Sequence, residues 1–572
     1  MIRKNSMWAL LAPAFATALT ACQGGSEVVA PALACDAITT AALGVSNLKI
    51  SLAQSIAAKT DATDANNYPA HCQVQGNINE RTGADGKPYA IGFELRMPNT
   101  WNGKFFFQGG GGTDGTINPA LGTLTGGGTS SNALTQGYAV VSTDSGHTTQ
   151  STPPFTGGAL FGLDPQARVD YGYNAVGTLT PLAKQIVAKH YASPVQRSYF
   201  VGCSNGGRQG MVAASRFADQ FDGIVAGNPG FNLPKAAIQH AWDTQQFFSV
   251  SPGNIAGAFT TAELGLVGQK ILDKCDALDG AKDGIVNDRV ACQAAFSLAR
   301  DVPTCSGARD GSCLSAPQKT ALQNVMNGPR NSAGTALYSD WPWDAGIAGS
   351  AVGFASWRMW KLENPILGGL PIIATLGGSA LPYVFTTPPT DLPRDPSAVV
   401  PALFGYLAGF NFDTDAPKIS ATTAGFTQSA LSFMTPPNPT QLTTLKGRGK
   451  LLVYHGQGDP VFSAHDTIRW FDELGAANPD RANFARLFVV PGMGHCSGGP
   501  ATDRFDLFAA LVNWVEKGSA PDNVTAGVAA GNTDTPSNWS ATRTRPMCAY
   551  PTHAVLKTGA TDLESAASFQ CQ

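Results

Sequence analysis

Periodic separation of apolar from polar residues first becomes clear at Tyr89 to Met97, which alternates as a half-buried strand does. Lys104 to Gln108 (KFFFQ) and Ala139 to Thr143 (AVVST) are short, nearly unbroken apolar runs, the pattern of strands covered on both faces. Asp170 to His190 carries apolar residues at helical spacing, and Ser198 to Val201 is again a strand. Strand, helix, strand in that order predicts a parallel sheet with crossover helices. From Phe231 to Thr435 the pattern gives way to Pro/Gly-rich, Trp-containing sequence with no sustained alternation. The buried-strand signature returns at Lys450 to His455 (KLLVYH) and Arg486 to Val490 (RLFVV), with a region of helix and loop beginning at Phe471 between them. A chain of 572 residues exceeds the roughly 250 to 300 at which a single core stops growing. The partition expected is therefore a core from residues 35–230 and 436–572, with residues 231–435 inserted as a lid.

The N-terminus reads as an export signal over residues 1–21: Arg3 and Lys4, an apolar run from Met7 to Leu19, then small residues. The run is too short for a membrane span. Leu19-Thr20-Ala21-Cys22 also resembles the lipobox of bacterial lipoproteins, which makes Cys22 a lipidation candidate. Gln23 after it points to an outer-membrane anchor, and a flexible linker over residues 22–34 follows. The alternative is an ordinary secretory signal and a periplasmic or secreted product.

Charge changes little in this picture. The chain has 38 basic and 41 acidic residues, net −3, and only 14% charged residues against a typical ~25%. That balance argues against a nucleic-acid groove and against strong steering of a charged partner; a small-molecule substrate and a monomeric state are expected. Eleven cysteines is an odd number for an exported chain. Setting Cys22 aside leaves ten, which group as Cys35 with Cys72, Cys203 with Cys496, Cys275 with Cys292, Cys305 with Cys313, and Cys548 with Cys571. Sequence does not fix connectivity, but an oxidising compartment makes full pairing the expectation.

Gly202-Cys203-Ser204-Asn205-Gly206 fits G-x-S-x-G, with a predicted strand before it and helical Gly207 to Phe217 after it. Such a turn projects a serine hydroxyl from the end of a sheet. A serine is a poor nucleophile without a base, and the base needs an orienting acid. Asp459 follows the strand at Lys450 to His455, and His495 follows the strand at Arg486 to Val490. The order Ser204, Asp459, His495 is that of the α/β-hydrolase fold, a mostly parallel central sheet with flanking helices. Asp144 and His147 follow an early strand and suit an active-site loop better than the triad, and His455 ends a strand as a structural residue. An oxyanion hole needs two backbone N–H groups. Asn205 and one glycine of the Gly109 to Gly112 run, Gly112, are the candidates. If Ser204 and His495 touch, Cys203 and Cys496 fall within disulfide reach, and a thiol nucleophile is disfavoured.

The Cys-Ser pair, the Asp and the His-Cys pair together resemble the tannase and feruloyl esterase family. The resemblance runs from Cys35 to Cys571 and includes GFELRMPNTWNGKFFFQGGGG, YFVGCSNGGRQG and RLFVVPGMGHCSGGPATDRFD. It is nearest to a branch that hydrolyses the mono(2-hydroxyethyl) ester of terephthalate. The resemblance implies a serine carboxylesterase acting on feruloyl, galloyl or related aryl esters through an acyl-enzyme. It also carries a structural calcium onto Asp276, Asp279 and Asp283 with the carbonyls of Ala281 and Ile285; read alone, that stretch serves equally as an acidic surface turn. Trp341, Trp343, Trp357, Trp360, Phe404 and Phe412 are candidates for aromatic walls of the acyl pocket, although aromatics in such a segment form core more often than pocket. Members of the terephthalate branch present a lid arginine to the free carboxylate, but no Lys, Arg or His lies between Lys361 and Arg394 here, and an apolar residue near Ile372 takes that place. Uncharged aryl esters are thus the expected substrates and the terephthalate monoester the alternative. Outside this class stand a catalytically silent binding lipoprotein of the same shape, and a serine peptidase or amidase.

Overall fold

The computed structural model describes Met1 and residues 28–61, 66–126, 131–349 and 356–572. Cys22 and residues 2–21, the stretch read as an export signal, lie outside the described residues. Nine strands form one sheet: β1 (Leu48–Ile56), β2 (His71–Thr82), β3 (Pro88–Pro98), β4 (Lys104–Gln108), β5 (Ala139–Thr143), β6 (Arg197–Cys203), β7 (Gly223–Gly227), β8 (Lys450–Gly456) and β9 (Ala485–Val490). Their spatial order is β1-β2-β3-β5-β4-β6-β7-β8-β9. Pairing is antiparallel from β1 through β3 to β5 and parallel from β5 to β9. The parallel half is covered on both faces, which is why Phe105, Phe106 and Phe107 are all fully buried in β4.

Helices α1 (Ala175–Tyr191) and α2 (Asn205–Arg216) pack on the sheet. The predicted helix over Asp170 to His190 thus holds, except that its first turn, Asp170–Asn174, is π-helical. Among the described residues no strand of the sheet lies between β7 and β8. That insertion is helical, with α3 (Leu233–Val250), α4 (Thr261–Cys275), α5 (Ala316–Asn327) and α6 (Val399–Gly409) as its longest pieces. Thr260 with Glu263, and Ser315 with Gln318, form capping boxes at the starts of α4 and α5, each contributing about 1 kcal/mol. The insertion shares one hydrophobic core with Ala159, Leu160, Phe161 and Tyr171 of the sheet body. It is therefore packed down over the C-terminal ends of the strands. After β8 the chain forms α7 (Ala464–Ala477), which starts seven residues before Phe471, and then β9 and α8 (Leu507–Lys517).

Five disulfides join the ten cysteines in the pairs grouped above, with Cα–Cα separations of 5.5, 6.1, 5.0, 5.0 and 5.5 Å. Such a complement belongs to a chain matured in an oxidising compartment. No helix among the described residues is long and apolar enough to cross a membrane.

Candidate active site

Ser204 sits between β6 and α2 with φ 62° and ψ −124°, a left-handed backbone that a serine adopts only when its surroundings enforce it. The enforcement is local. A Cβ on Gly206 would lie 2.5 Å from the Gly110 carbonyl oxygen, and one on Gly207 would lie 2.2 Å from that of Gly227. Only glycines let the turn press against the neighbouring strand ends, and the Ser204 N–H donates to the Gly227 carbonyl at 3.0 Å.

His495 Nε2 lies 2.8 Å from Ser204 Oγ, and His495 Nδ1 lies 3.1 and 3.0 Å from the two oxygens of Asp459. Asp459 also accepts from Asn228 Nδ2 at 2.7 Å and from the Val461 N–H at 2.7 Å. His455 Nε2 is 3.3 Å from the same carboxylate. Burial acts to raise the Asp459 pKa, but the adjacent His495 and His455 rings and their hydrogen bonds outweigh it and hold the carboxyl well below its usual range. The acid is therefore ionised and presents only acceptors, which fixes the His495 proton on Nδ1 and leaves Nε2 facing the serine. Asn228 and His455 act here behind the acid; in sequence they are a turn residue after β7 and a strand-end histidine. His147 and Asp144 are placed elsewhere. His147 stacks on Phe161 with its Nε2 2.9 Å from the Thr113 carbonyl. Asp144 accepts from the Gly92 and Gly146 N–H groups, each at 2.9 Å.

The four glycines after β4 separate by hydrogen bonding. Gly109 N–H donates to the Val201 carbonyl at 2.8 Å, and Gly110 N–H to Gln209 Oε1 at 3.0 Å. Gly112, at φ +56°, borders the same cavity as Ser204 and Asn205. Among the described residues neither its N–H nor that of Asn205 has a partner. The two sequence candidates are thus unspent donors beside the serine. Behind them, half-buried Asp114 accepts from Asn205 Nδ2 at 2.5 Å, from Gln209 Nε2 at 2.7 Å and from Ser145. Asp114, unmarked in the sequence reading, ties the glycine loop to the start of α2. Burial pushes its pKa up against these hydrogen bonds.

A small cavity opens over Ser204. Trp360, Phe385, Phe462, Leu233, Ile373 and Leu376 supply its apolar walls, and His240 borders it. Of the six candidate aromatics Trp360 reaches it, and the other five take the core role that such residues fill more often. Trp343 packs on Phe296, Trp357 on Phe247, Phe404 on Phe248 and Phe412 on Trp242, while Trp341 covers the Lys361 ammonium. Those five are the lid's own core, because a helical insertion without strands must bury its large side chains against itself. Among the described residues no lysine or arginine borders the cavity.

Asp276, Asp279 and Asp283 are all buried, yet among the described residues the only cation paired with their carboxylates is Arg545, on Asp283. Asp276 accepts from the Asp283 and Gly284 N–H groups, and Asp279 from Ala281 N–H and Asn287 Nδ2. Desolvation and the charge of Asp283 push Asp279 up to about 7. Among the described residues no three such side chains converge on a point. The donor set is nonetheless all hard oxygen with more negative charge than one arginine offsets, which suits calcium chemistry.

A serine on a strained strand-to-helix turn, a base oriented by an ionised acid and two idle N–H donors, set at one end of this sheet, define a serine hydrolase of the α/β class. Residues 72–572 match the model of the tannase and feruloyl esterase family, and the chain belongs to that family. It is 45% identical over 525 residues to the mono(2-hydroxyethyl) terephthalate hydrolase of Piscinibacter sakaiensis, covering 88% of this chain and 85% of that protein. It is 30% identical over 504 residues to a probable feruloyl esterase of Arthroderma benhamiae, covering 83% and 81%. In fold it is similar to the crystal structure of feruloyl esterase B from Aspergillus oryzae, with TM-score 0.69 at 23% identity over 94% of this chain and 99% of that one.

Proposed function

We propose that this chain hydrolyses uncharged aromatic-acid esters by acyl transfer through Ser204. His495 Nε2 takes the Ser204 proton as Oγ bonds to the ester carbonyl carbon. The developing oxyanion is held by the Gly112 and Asn205 N–H groups. His495 then gives the proton to the leaving alkoxide, the C–O bond breaks, and an acyl-enzyme remains. A water, deprotonated by His495, attacks that acyl group and regenerates Ser204 and the free acid. The observation that carries this reading is the 2.8 Å Oγ–Nε2 contact at the floor of an aromatic-walled cavity. Ser204→Ala should abolish both turnover of methyl ferulate and the initial p-nitrophenol burst from p-nitrophenyl acetate; retention of either overturns it.

The relative from Piscinibacter sakaiensis favours a second substrate, the terephthalate monoester. Its free carboxylate would enter a cavity that no described lysine or arginine borders, and an unpaired buried carboxylate is costly. Neutral esters are therefore the preferred class, and kinetics on methyl ferulate, methyl gallate and the monoester decide between them. Fastest turnover of the monoester would refute the preference.

We propose further that calcium, held by Asp276, Asp279 and Asp283 with the Ala281 and Ile285 carbonyls, stabilises the lid without entering the reaction. The lipobox-like sequence ending in Cys22 supports an outer-membrane lipid anchor. Cys22→Ser should then release the protein from the detergent phase into the aqueous phase.

A further inference from the structure

His240 lies on α3, is 2% exposed and borders the cavity that contains Ser204. Neither of its ring nitrogens makes a hydrogen bond among the described residues. Three of the other polar side chains at the cavity are committed. Tyr171 Oη donates to the Gly112 carbonyl at 3.1 Å, Asn205 is held by Asp114 and Arg208, and Ser204 faces His495. A buried imidazole without a partner costs free energy, and one that borders the nucleophile's cavity can recover it by pairing with a bound substrate. The fold makes room for this ring: a Cβ on Gly377 would lie 2.2 Å from His240 Nδ1.

Burial first, and the Lys361 charge second, push the His240 pKa down to about 3, with the main chain of Val461 a weaker influence in favour of the proton. The ring is neutral at any physiological pH, with one donor and one acceptor nitrogen. Lys361 does not serve the cavity as a cation, because its ammonium is 2.5 Å from Asp243 Oδ2 with both side chains fully buried, and it faces the Trp341 ring. A carboxylate beside His240 would thus meet neither a cation nor a protonated ring. A neutral hydroxyl, which donates and accepts, matches it.

Resting on the serine esterase reading above, we propose that His240 is the specificity residue of the acyl pocket and hydrogen-bonds a hydroxyl on the substrate's aromatic ring. A ring lacking that hydroxyl desolvates the imidazole without pairing it, so discrimination comes as much from rejecting the unsubstituted ring as from binding the phenol.

The test compares kcat/KM for methyl hydroxycinnamates and hydroxybenzoates with their methoxy counterparts, which keep a similar electronic effect on the ester but lose the donor. The wild-type enzyme should favour the best hydroxylated isomer by about tenfold or more. In His240→Leu the ratio should fall to near one, with the methoxy ester turned over within about threefold of wild type. His240→Gln, which keeps a donor and an acceptor, should retain part of the ratio. If His240→Leu does not fold, Gly377→Ala displaces the ring instead and should also collapse the ratio. A ratio near one in the wild type, a ratio that survives His240→Leu, or an equal fall on both esters overturns the assignment. The p-nitrophenyl acetate burst separates this from the reading beneath it: a wild-type burst with no hydroxyl preference sinks His240 alone, and no burst sinks the esterase.

Discussion

Replacing both Cys203 and Cys496 by alanine should lower kcat far more than it lowers stability. The bridge closes a loop with sequence separation 293, for which chain entropy predicts a ceiling of roughly 5 to 6 kcal/mol, with about 2 to 5 kcal/mol usual for a native disulfide. Unfolding entropy of about 2 cal/mol/K per residue amounts to about 1 kcal/mol/K for a chain this long, so even the full effect moves Tm by only about 2 to 5 °C. The catalytic consequence is larger because of what the two cysteines flank. Ser204 has φ 62° and Cys496 itself has φ 70°, two non-glycine residues in the left-handed region, each costing roughly 1 to 3 kcal/mol to hold. Without the bridge, relaxation of either backbone shifts Oγ relative to Nε2 from the present 2.8 Å, and a displacement of about 1 Å costs on the order of a hundredfold. Steady-state kinetics on methyl ferulate with thermal unfolding in parallel should show kcat down by about 10- to 100-fold, KM little changed and Tm down by a few degrees. A kcat within twofold of wild type would refute the idea that the bridge aligns the triad.

Asp459→Asn should lower kcat by about 10^4 with little effect on KM, since an amide facing His495 Nδ1 permits the tautomer whose Nε2 carries the proton and cannot accept one from Ser204; a loss under tenfold in single-turnover acylation would contradict this. Chelation with EDTA should lower Tm by several degrees and calcium should restore it, a response that Asp279→Ala removes; a Tm indifferent to chelator would remove the metal from the lid. Ile373→Arg, which puts a guanidinium in the cavity wall, should raise kcat/KM on the terephthalate monoester by about tenfold while lowering it on methyl ferulate, and a fall on both would place the selectivity elsewhere.

Much of the sheet is legible in the sequence because its strands carry their own signal. The unbroken runs at β4, β5, β8 and the last strand coincide with the observed elements to within a residue. β7 was not foreseen: GIVAG is five residues long and two are glycines, too short and too small to register. β1 and β2 form an antiparallel edge whose partly exposed positions blur the alternation. The triad was readable for a different reason, since each member follows a strand and chain order repeats sheet order. The pocket was not. Trp, Phe and Tyr in a strandless insertion give no sign of which face they take, and His240 on an otherwise buried helix reads as an ordinary core residue. Phe462 comes from the loop after Asp459 rather than from the lid, so no pattern within residues 231–435 points to it.

The geometry of the sheet explains why PGMGHCSGG needs its glycines. β6 and β9 are three strand positions apart, roughly 14 Å at about 4.8 Å per step. Yet Cys203 at the end of one and Cys496 beyond the other stand 6.1 Å apart between Cα atoms. The histidine loop must therefore arch back over the ends of β7 and β8 and lie directly on their backbones. A Cβ on Gly456 would meet the Met493 and Gly494 carbonyl oxygens, each at 2.4 Å, and Gly492, at φ +73°, has the Pro500 carbonyl oxygen 2.1 Å from where a Cβ would stand. The glycines permit that close passage, and Asn228, at the end of β7, fills the space beneath by donating to Asp459 at 2.7 Å and to the Gly494 carbonyl at 3.3 Å. The base thus reaches the nucleophile through an arch anchored at its far end by a disulfide and along its underside by backbone contact, so the Ser204–His495 distance is set by the sheet rather than by the lid.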